Sequence, residues 1–389
     1  AGASAPALRT LAQAEACARY SPMKNALADR LAERPGESFP KALDDAELEA
    51  AYRFFGNERV SPDGILAPHV RQSARRAAGH AHVLVVRDTT QFEFPGQAKR
   101  AGLGRLIRPG QGCFGHFSLA LSAKGTREPL GLVAMETVFR HDRAIPRKQR
   151  TARDNRGESA RWRRCMDEAE SVLDGHTKAI HVMDREADSY AVFAALTEHR
   201  RLFVIRSFQD RVLASADAVR LRATAKAARV TLRRDVPFSP RPPIKGPQGT
   251  RYPARRSRVA RLSFAATAVE LPRPGGARTA AATSLRLNVI HVFEGRPPRG
   301  EPAVEWFLLT NLPVDTPDTI AVAVDCYRGR WTIEEFFKAL WSAGCWSKQR
   351  GTIALAAVGD NLRAAGLGPR PPGRRGHWEA LSGTSQPPV

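Results

Sequence analysis

Two aspartates directly follow short apolar runs, where a carboxylate can stand at the end of a buried strand. Asp88 comes after residues 82–87 (HVLVVR), and Asp184 comes after residues 179–183 (AIHVM). Because the ends of neighbouring strands meet at one edge of a sheet, we expect these carboxylates to lie close together, at or just past their strands. Aspartate also terminates many ordinary strands, so neither residue alone indicates chemistry.

A third acid, Glu334, falls within a predicted helix. Thr332 and Glu335 have the spacing of a capping box, which predicts that a helix opens at Thr332. The apolar side of this helix consists of Ile333, Phe336, Phe337 and Leu340. Glu334 then projects from the first turn, where the helix dipole by itself would already favour an acid.

The net positive charge of the chain indicates what kind of substrate these acids could act on. The 389 residues include 61 Lys and Arg against 39 Asp and Glu, for a net charge of +22. Such a chain suits a polyanionic partner and makes a small neutral substrate improbable. Three carboxylates can hold two divalent cations ~4 Å apart, Mg²⁺ or Mn²⁺, for phosphodiester displacement while basic side chains bind the phosphate backbone.

Composition excludes several other classes of protein. Hydrophobic residues make up 42% of the chain, which is typical of a folded protein. The five cysteines form no C-x-x-C pair, so neither a zinc module nor a disulfide framework is expected. No apolar run has the length of a membrane span and no signal-peptide pattern opens the chain, so we expect a soluble, cytoplasmic protein.

The pattern of elements predicts an α/β fold with four regions. Residues 1–80 are predicted to be helical, as in a helix-turn-helix DNA-binding domain or any other helical subdomain. Mixed strands and helices over 81–206 and 301–350 predict a sheet domain, interrupted by a β-rich insertion at 207–300. The fourth region is an atypical Gly/Pro/Arg-rich tail, 351–389, and the part after Leu367 is predicted to be disordered.

The insertion carries a concentrated positive charge. Residues 220–261 contain thirteen Lys and Arg but one acid, Asp235. A charge run is often only a solvated face, but an excess this one-sided favours contact with nucleic acid. Arg255, Arg256 and Arg258 are the candidate DNA contacts within it.

Seven stretches make the sequence recognisable: AYRFFGNERVSPD (51–63), VVRDTTQFEF (85–94), GCFGHFSL (112–119), MDREADSY (183–190), FVIRS (203–207), EWFLLTNLPV (305–314) and YRGRWTIEEFFKAL (327–340). With them the chain resembles the DDE cut-and-paste transposases of bacterial insertion sequences, specifically the insertion-sequence-four, Tn-five-like group. The resemblance covers most of residues 40–350 and includes the Y-x2-R-x3-E spacing.

The resemblance implies a ribonuclease-H-like catalytic domain that acts as a homodimer on the inverted-repeat ends of a mobile element and on target DNA. Asp88, Asp184 and Glu334 match the family's metal-binding catalytic triad. The positions that match phosphate contacts beside the cleavage site are Tyr327, Arg330 and Arg206. Trp306 matches an aromatic residue that stacks on a flipped base during hairpin formation, although a core tryptophan is the alternative.

Two departures from the family pattern bear on activity. Trp341 stands where the family has a lysine, and Lys338, one turn after Glu334, is the candidate substitute. The resemblance ends after Arg350, as in a truncated or frame-shifted copy.

On the strength of the resemblance, the leading hypothesis is a transposase that nicks transposon ends, forms hairpins and transfers strands. The alternatives are a related nuclease and a non-catalytic DNA-binding remnant.

Overall fold

The computed structural model describes residues 29, 30, 33, 39–57, 59–94, 103–106, 110–140, 160–175, 177–214, 217–238, 240, 243–245, 251, 252, 254, 256–275 and 282–342. The tail at 351–389, with its predicted disorder after Leu367, and the candidate contact Arg255 lie outside these residues. So do the side chains of residues 339–342, which include Trp341.

Three helices open the described part of the chain: α1 (Phe39–Ala42), α2 (Asp45–Gly56) and α3 (Pro62–Ala77). Asp44 caps α2 in a reciprocal capping box with Glu47, and Ser61 caps α3 ahead of a proline at the first helical position. A small apolar cluster, which includes Phe54 and Phe55, holds α1 and α2 together. The predicted helical character of this region is confirmed.

One sheet of ten strands forms the centre of the described structure, in the order β2-β3-β1-β5-β6-β12-β11-β10-β7 with β4 beside β3. Its strands are β1 (His82–Glu93), β2 (Gly104–Arg105), β3 (Gln111–Ser122), β4 (Pro129–Val138), β5 (Lys178–Met183), β6 (Leu202–Arg206), β7 (Val230–Phe238), β10 (Arg258–Pro272), β11 (Ser284–Glu294) and β12 (Glu305–Thr310). The short pair β8 (Ile244–Lys245) and β9 (Arg251–Tyr252) forms a separate hairpin.

The first half of the sheet has the ribonuclease-H-like arrangement. Strands β4, β3 and β1 are antiparallel neighbours, whereas β5 and β6 run parallel to β1. The predicted fold class is therefore confirmed. Apart from the hairpin of β8 and β9, the described strands of the β-rich segment continue the main sheet: β12 pairs antiparallel with β6, and β11, β10 and β7 extend the sheet beyond it.

Helices cover both faces of the sheet. Helices α4 (Ala160–Leu173), α5 (Tyr190–Glu198) and α6 (Leu221–Ala227) pack on one face. Helices α7 (Pro317–Arg328) and α8 (Trp331–Ser342) pack on the other, where they join the largest apolar cluster. β1 is therefore apolar on both faces: Leu84 and Val86 contact the α7–α8 layer, and Val83 and Val85 the opposite layer.

A tight corner joins α7 to α8, and it shows that the predicted capping box at Thr332 was wrong. The second helix begins at Trp331, and the Thr332 amide donates to Gly329 O at 3.1 Å within a continuous chain of turn bonds. Because only Gly329 and Arg330 separate the helices, no extended N-cap residue fits there. A Cβ atom on Gly329 would lie 2.8 Å from Leu84 Cδ1, so glycine allows the corner to approach β1.

Candidate active site

Asp88 lies inside a strand, and the predicted position at a strand end was wrong. β1 continues to Glu93 because it stays paired with antiparallel β3 as far as Gly112. Its parallel pairing with β5 ends earlier, at Val86 and Val182. Asp88 therefore stands just beyond the point where β5 leaves β1, which opens the sheet beside its carboxylate.

Asp184 directly follows β5, as predicted. Its side chain caps the short 3-10 turn Arg185–Ala187 by accepting a hydrogen bond from the Glu186 amide at 2.9 Å. Asp184 raises the pKa of Asp88 electrostatically, so the two carboxylates lie within range of each other. This interaction agrees with the expected convergence of the two strands.

Arg330 connects the third acid, Glu334, to Asp88. The Arg330 guanidinium donates from Nη1 to Asp88 Oδ2 at 3.0 Å and from Nη2 to Glu334. Its side chain is only 9% exposed, against 21% for Asp88 and 19% for Glu334. A strand carboxylate and a helix carboxylate therefore share one buried cation.

The apolar side of α8 fixes the position of Glu334. Phe117 of β3 packs against Phe336 and Phe337, with ring centroids 6.1 Å and 5.5 Å away. Ile333 is fully buried in the same cluster. Ile333 and Phe336 lie on either side of Glu334 in the sequence, so their packing holds the first turn of α8, and Glu334 with it, close to β1.

The site holds more negative charge than Arg330 can neutralise. Burial raises the pKa of Asp88 to about 7; Arg330 and the Thr89 amide oppose this effect, while Asp184 and Glu334 add to it. Burial by itself lowers the pKa of Arg330, but Tyr327 and the nearby acids outweigh it and raise that pKa. The arrangement therefore favours a bound cation.

The donor chemistry of these acids fits a hard divalent cation. Carboxylate oxygens are the preferred ligands of Mg²⁺ and Mn²⁺. Among the described residues no three His, Cys, Asp or Glu side chains are arranged as a metal site. Instead, a guanidinium occupies the space between Asp88 and Glu334, where it provides the positive charge that a metal ion would supply.

Two segments of the chain match known protein families. Residues 24–60 match the family described as Transposase DNA-binding, and residues 123–355, more than half of the chain, match the family described as Transposase DDE domain. The chain belongs to the DDE transposase family. The matched DDE segment contains Asp184 and Glu334, whereas Asp88 precedes it.

One solved structure with similarity to this DDE transposase is a cryo-EM structure of the piggyBac transposase synaptic complex with hairpin DNA. The match has 11% identity and a TM-score of 0.33, and it covers 82% of this chain and 54% of that one. The chain thus spans about half the length of that protein. Within the described part of the transposase, no helix is long and apolar enough to cross a bilayer.

Of the residues predicted to contact phosphate in this transposase, Arg330 is the one that hydrogen-bonds to the carboxylates in the described structure. Tyr327 is buried and meets Trp306 edge to face, with ring centroids 5.8 Å apart; Trp306 itself is half-buried. Arg206 is the last residue of β6 and is half-buried, and its side chain has no hydrogen bond or ion pair with any described residue. Lys338 is exposed on α8.

Strand alternation divides the basic segment of the transposase between two faces of the sheet. Arg234 pairs with Asp325, and Arg258 pairs with Glu294 and Glu301, on the face that carries α7. Arg258 is thus already neutralised by two carboxylates, which argues against the predicted phosphate contact at this residue. The arginines that are exposed on β7, β10 and the segment before β10 are Arg233, Arg261 and Arg256.

The sequence analysis missed two buried polar clusters of this transposase. Asp188 is fully buried and accepts hydrogen bonds from the Phe208 and Gln209 amides at 2.6 and 2.8 Å, and it forms an ion pair with Arg211 at 2.6 Å. It thereby holds the loop that follows Arg206. The D-x3-D spacing of Asp184 and Asp188 was the available signal, but it does not separate a ligand from a loop anchor.

The second missed cluster lies behind Asp88. Arg87 points to the opposite face of β1 and donates to His181 Nδ1 at 2.7 Å; His181 Nε2 donates to Glu170 at 2.6 Å. Burial lowers the pKa of His181 to about 4, so its ring is neutral at pH 7. Arg87 stands in an apolar strand run, and that position was the signal that it needs buried partners.

Proposed function

We propose that this chain is a metal-dependent DNA transposase of the insertion-sequence-four, Tn-five-like group, which cleaves transposon ends and joins them to target DNA. The proposal rests chiefly on one observation: Asp88 and Glu334 come from distant parts of the chain and share Arg330, within electrostatic range of Asp184. The family membership and the excess of positive charge support DNA as the substrate.

In this proposal Asp88, Asp184 and Glu334 would hold Mg²⁺, or Mn²⁺ in its place. When bound, the metal would activate the attacking water or hydroxyl and stabilise the leaving oxygen. Arg206 and Arg330 would orient the phosphate beside the cleaved bond through charge-assisted hydrogen bonds, with Tyr327 and Lys338 as further contacts.

The regional assignment also remains a proposal. Residues 1–80 would bind DNA, 81–206 with 301–350 would form the catalytic domain, 207–300 the insertion, and 351–389 a separate tail. The chain would act as a homodimer on paired DNA ends, in the bacterial cytoplasm at the nucleoid.

The test of this function is a plasmid that carries the inverted repeats flanking the gene, incubated with the chain and Mg²⁺. Nicked, hairpin and joined products are expected. Nicks without joined products would favour the nuclease alternative, and DNA binding without nicks would favour the non-catalytic remnant. Trp341 in place of the family's lysine gives the remnant its support, so a Trp341→Lys variant is the matched comparison.

Trp306 provides a prediction about hairpin formation. Stacking on a flipped base is worth ~1–3 kcal/mol and tolerates any aromatic ring, so Trp306→Phe should retain partial hairpin formation and Trp306→Ala should lose it by roughly 10- to 100-fold. First-strand nicking should change less, because it precedes base flipping. Gel analysis of end-labelled DNA measures both steps. If Trp306→Ala instead unfolds the protein in a denaturation assay, the core-tryptophan alternative is correct.

The two classes of arginine in the insertion predict different salt dependences of DNA binding. Arg233→Ala and Arg261→Ala should each lower the slope of log affinity against log salt by ~0.9, because each exposed side chain can contact one phosphate. Arg258→Ala should leave the slope unchanged, because Glu294 and Glu301 already neutralise that side chain. Fluorescence anisotropy titrations at several salt concentrations test this. Equal slopes for all variants would leave the exposed arginines as a solvated surface.

A further inference from the structure

The Arg330 guanidinium lies between two of the candidate metal ligands, and one of its N–H donors lacks a hydrogen-bond partner among the described residues. Two of its nitrogens bind Asp88 and Glu334, but its Nε atom is buried with no partner among the described residues. A buried donor without a partner is costly, so a conformation that satisfies it elsewhere can compete with this one. The carboxylate-bound position therefore leaves one buried donor of the Arg330 side chain unsatisfied.

Arg330 lies in the short corner that connects α7 and α8. Arg330 is one of the two residues between them, and its neighbour Gly329 takes up the close approach to Leu84. On one side the guanidinium lies 5.4 Å from the exposed Trp331 ring. Phe336 and Phe337 hold α8 against Phe117, and Tyr327 packs on Trp306. Neither Glu334 nor Tyr327 therefore depends on Arg330 alone for its position.

The charges around Arg330 determine whether its side chain stays bound to Asp88 and Glu334. Arg330 is bound between Asp88 and Glu334, and Asp184 lies within electrostatic range of Asp88. A divalent cation must displace the guanidinium or bind beside it against charge repulsion. A DNA phosphate offers the guanidinium another anionic partner with matching fork geometry.

We propose that Arg330 is a resident counter-ion of the carboxylates, which a DNA phosphate draws away so that the divalent cation binds after the DNA. This inference rests on the proposed function of the triad. By thermodynamic linkage, DNA then tightens metal binding and metal tightens DNA binding by the same factor. The free protein takes up divalent cations weakly, and so does not assemble an active centre away from its substrate.

The test measures Mn²⁺ affinity by electron paramagnetic resonance without DNA. Arg330→Gln removes the competing charge and should tighten Mn²⁺ binding at least ~10-fold relative to the native chain. Arg328→Gln is the matched control: it removes an arginine two residues away that pairs with Asp325, and should leave the affinity unchanged. Adding Asp88→Asn to Arg330→Gln should abolish the gain. Unchanged or weaker Mn²⁺ binding by folded Arg330→Gln overturns the proposal.

A second variant covers the case in which Arg330→Gln does not fold. Lysine keeps the charge but has no fork to bridge both acids, so Arg330→Lys should tighten Mn²⁺ binding by a smaller factor in the same direction. An affinity equal to that of the native chain overturns the proposal.

The second part of the test measures Mn²⁺ affinity in the presence of DNA. Cleavage by the native chain distinguishes failure of the counter-ion role from failure of the proposed function. A duplex carrying the flanking repeat should tighten Mn²⁺ binding to the native chain more than to Arg330→Gln, and equal effects would contradict the exchange. If the native chain cleaves DNA but Arg330→Gln shows no gain in Mn²⁺ affinity, the counter-ion role alone fails. If the gain appears without any cleavage, the proposed function alone fails.

Discussion

Asp88→Asn, Asp184→Asn and Glu334→Gln should each lower Mg²⁺-dependent DNA cleavage by at least about 10³-fold. Metal-assisted charge stabilisation is worth several kcal/mol at the transition state, and each 1.36 kcal/mol is about tenfold in rate. DNA binding should stay unchanged or become tighter, because each variant removes a negative charge that repels phosphate. Single-turnover cleavage and anisotropy binding assays measure the two effects separately.

Glu335→Gln is the matched control for the triad. Glu335 is the exposed neighbour of Glu334 on α8, so the same chemical change one residue away should leave cleavage within a few-fold of the native chain. Native-like cleavage by any one of the three triad variants would remove that residue from the proposed metal site.

Asp188→Ala should destabilise the protein by about 3–5 kcal/mol. The change leaves Arg211 as an unpaired, largely buried charge and also removes the acceptor of two backbone amides. The loop after Arg206 should loosen at the same time, so hydrogen exchange at the Phe208 and Gln209 amides should accelerate. Chemical denaturation gives the free energy of unfolding.

Glu198→Ala provides the control for this stability measurement. Glu198 is exposed at the end of α5, so its removal should change the free energy of unfolding by no more than about 0.5 kcal/mol. A comparably small change for Asp188→Ala would mean that the buried ion pair contributes little net stability.

Local patterns predicted part of the sheet and part of the site. The apolar run at 179–183 located β5 to within a residue and placed Asp184 directly after it. β1 was predicted too short, because its second half is polar and stays in the sheet through pairing with β3, which lies further along the chain. Pairing partners are a tertiary property, and a local window does not contain them.

The same limit explains the errors around Glu334 and the insertion. The apolar pattern placed Glu334 in the first turn of a helix, but the bond from Arg330 to Asp88 depends on how α8 packs against Phe117. Similarly, counting charge over residues 220–261 did not reveal that Asp325, Glu294 and Glu301 neutralise part of it. Those acids come from other elements of the fold.

The order of elements along the chain also has a consequence during protein synthesis. Asp88 and Arg330 are 242 residues apart, and the whole insertion is translated before α7 and α8 emerge from the ribosome. A nascent chain that has already folded β1 and β5 carries two of the three carboxylates, but neither Glu334 nor the arginine that neutralises them. Incomplete translation products therefore lack part of the proposed metal site, which is completed only when the last helices have docked.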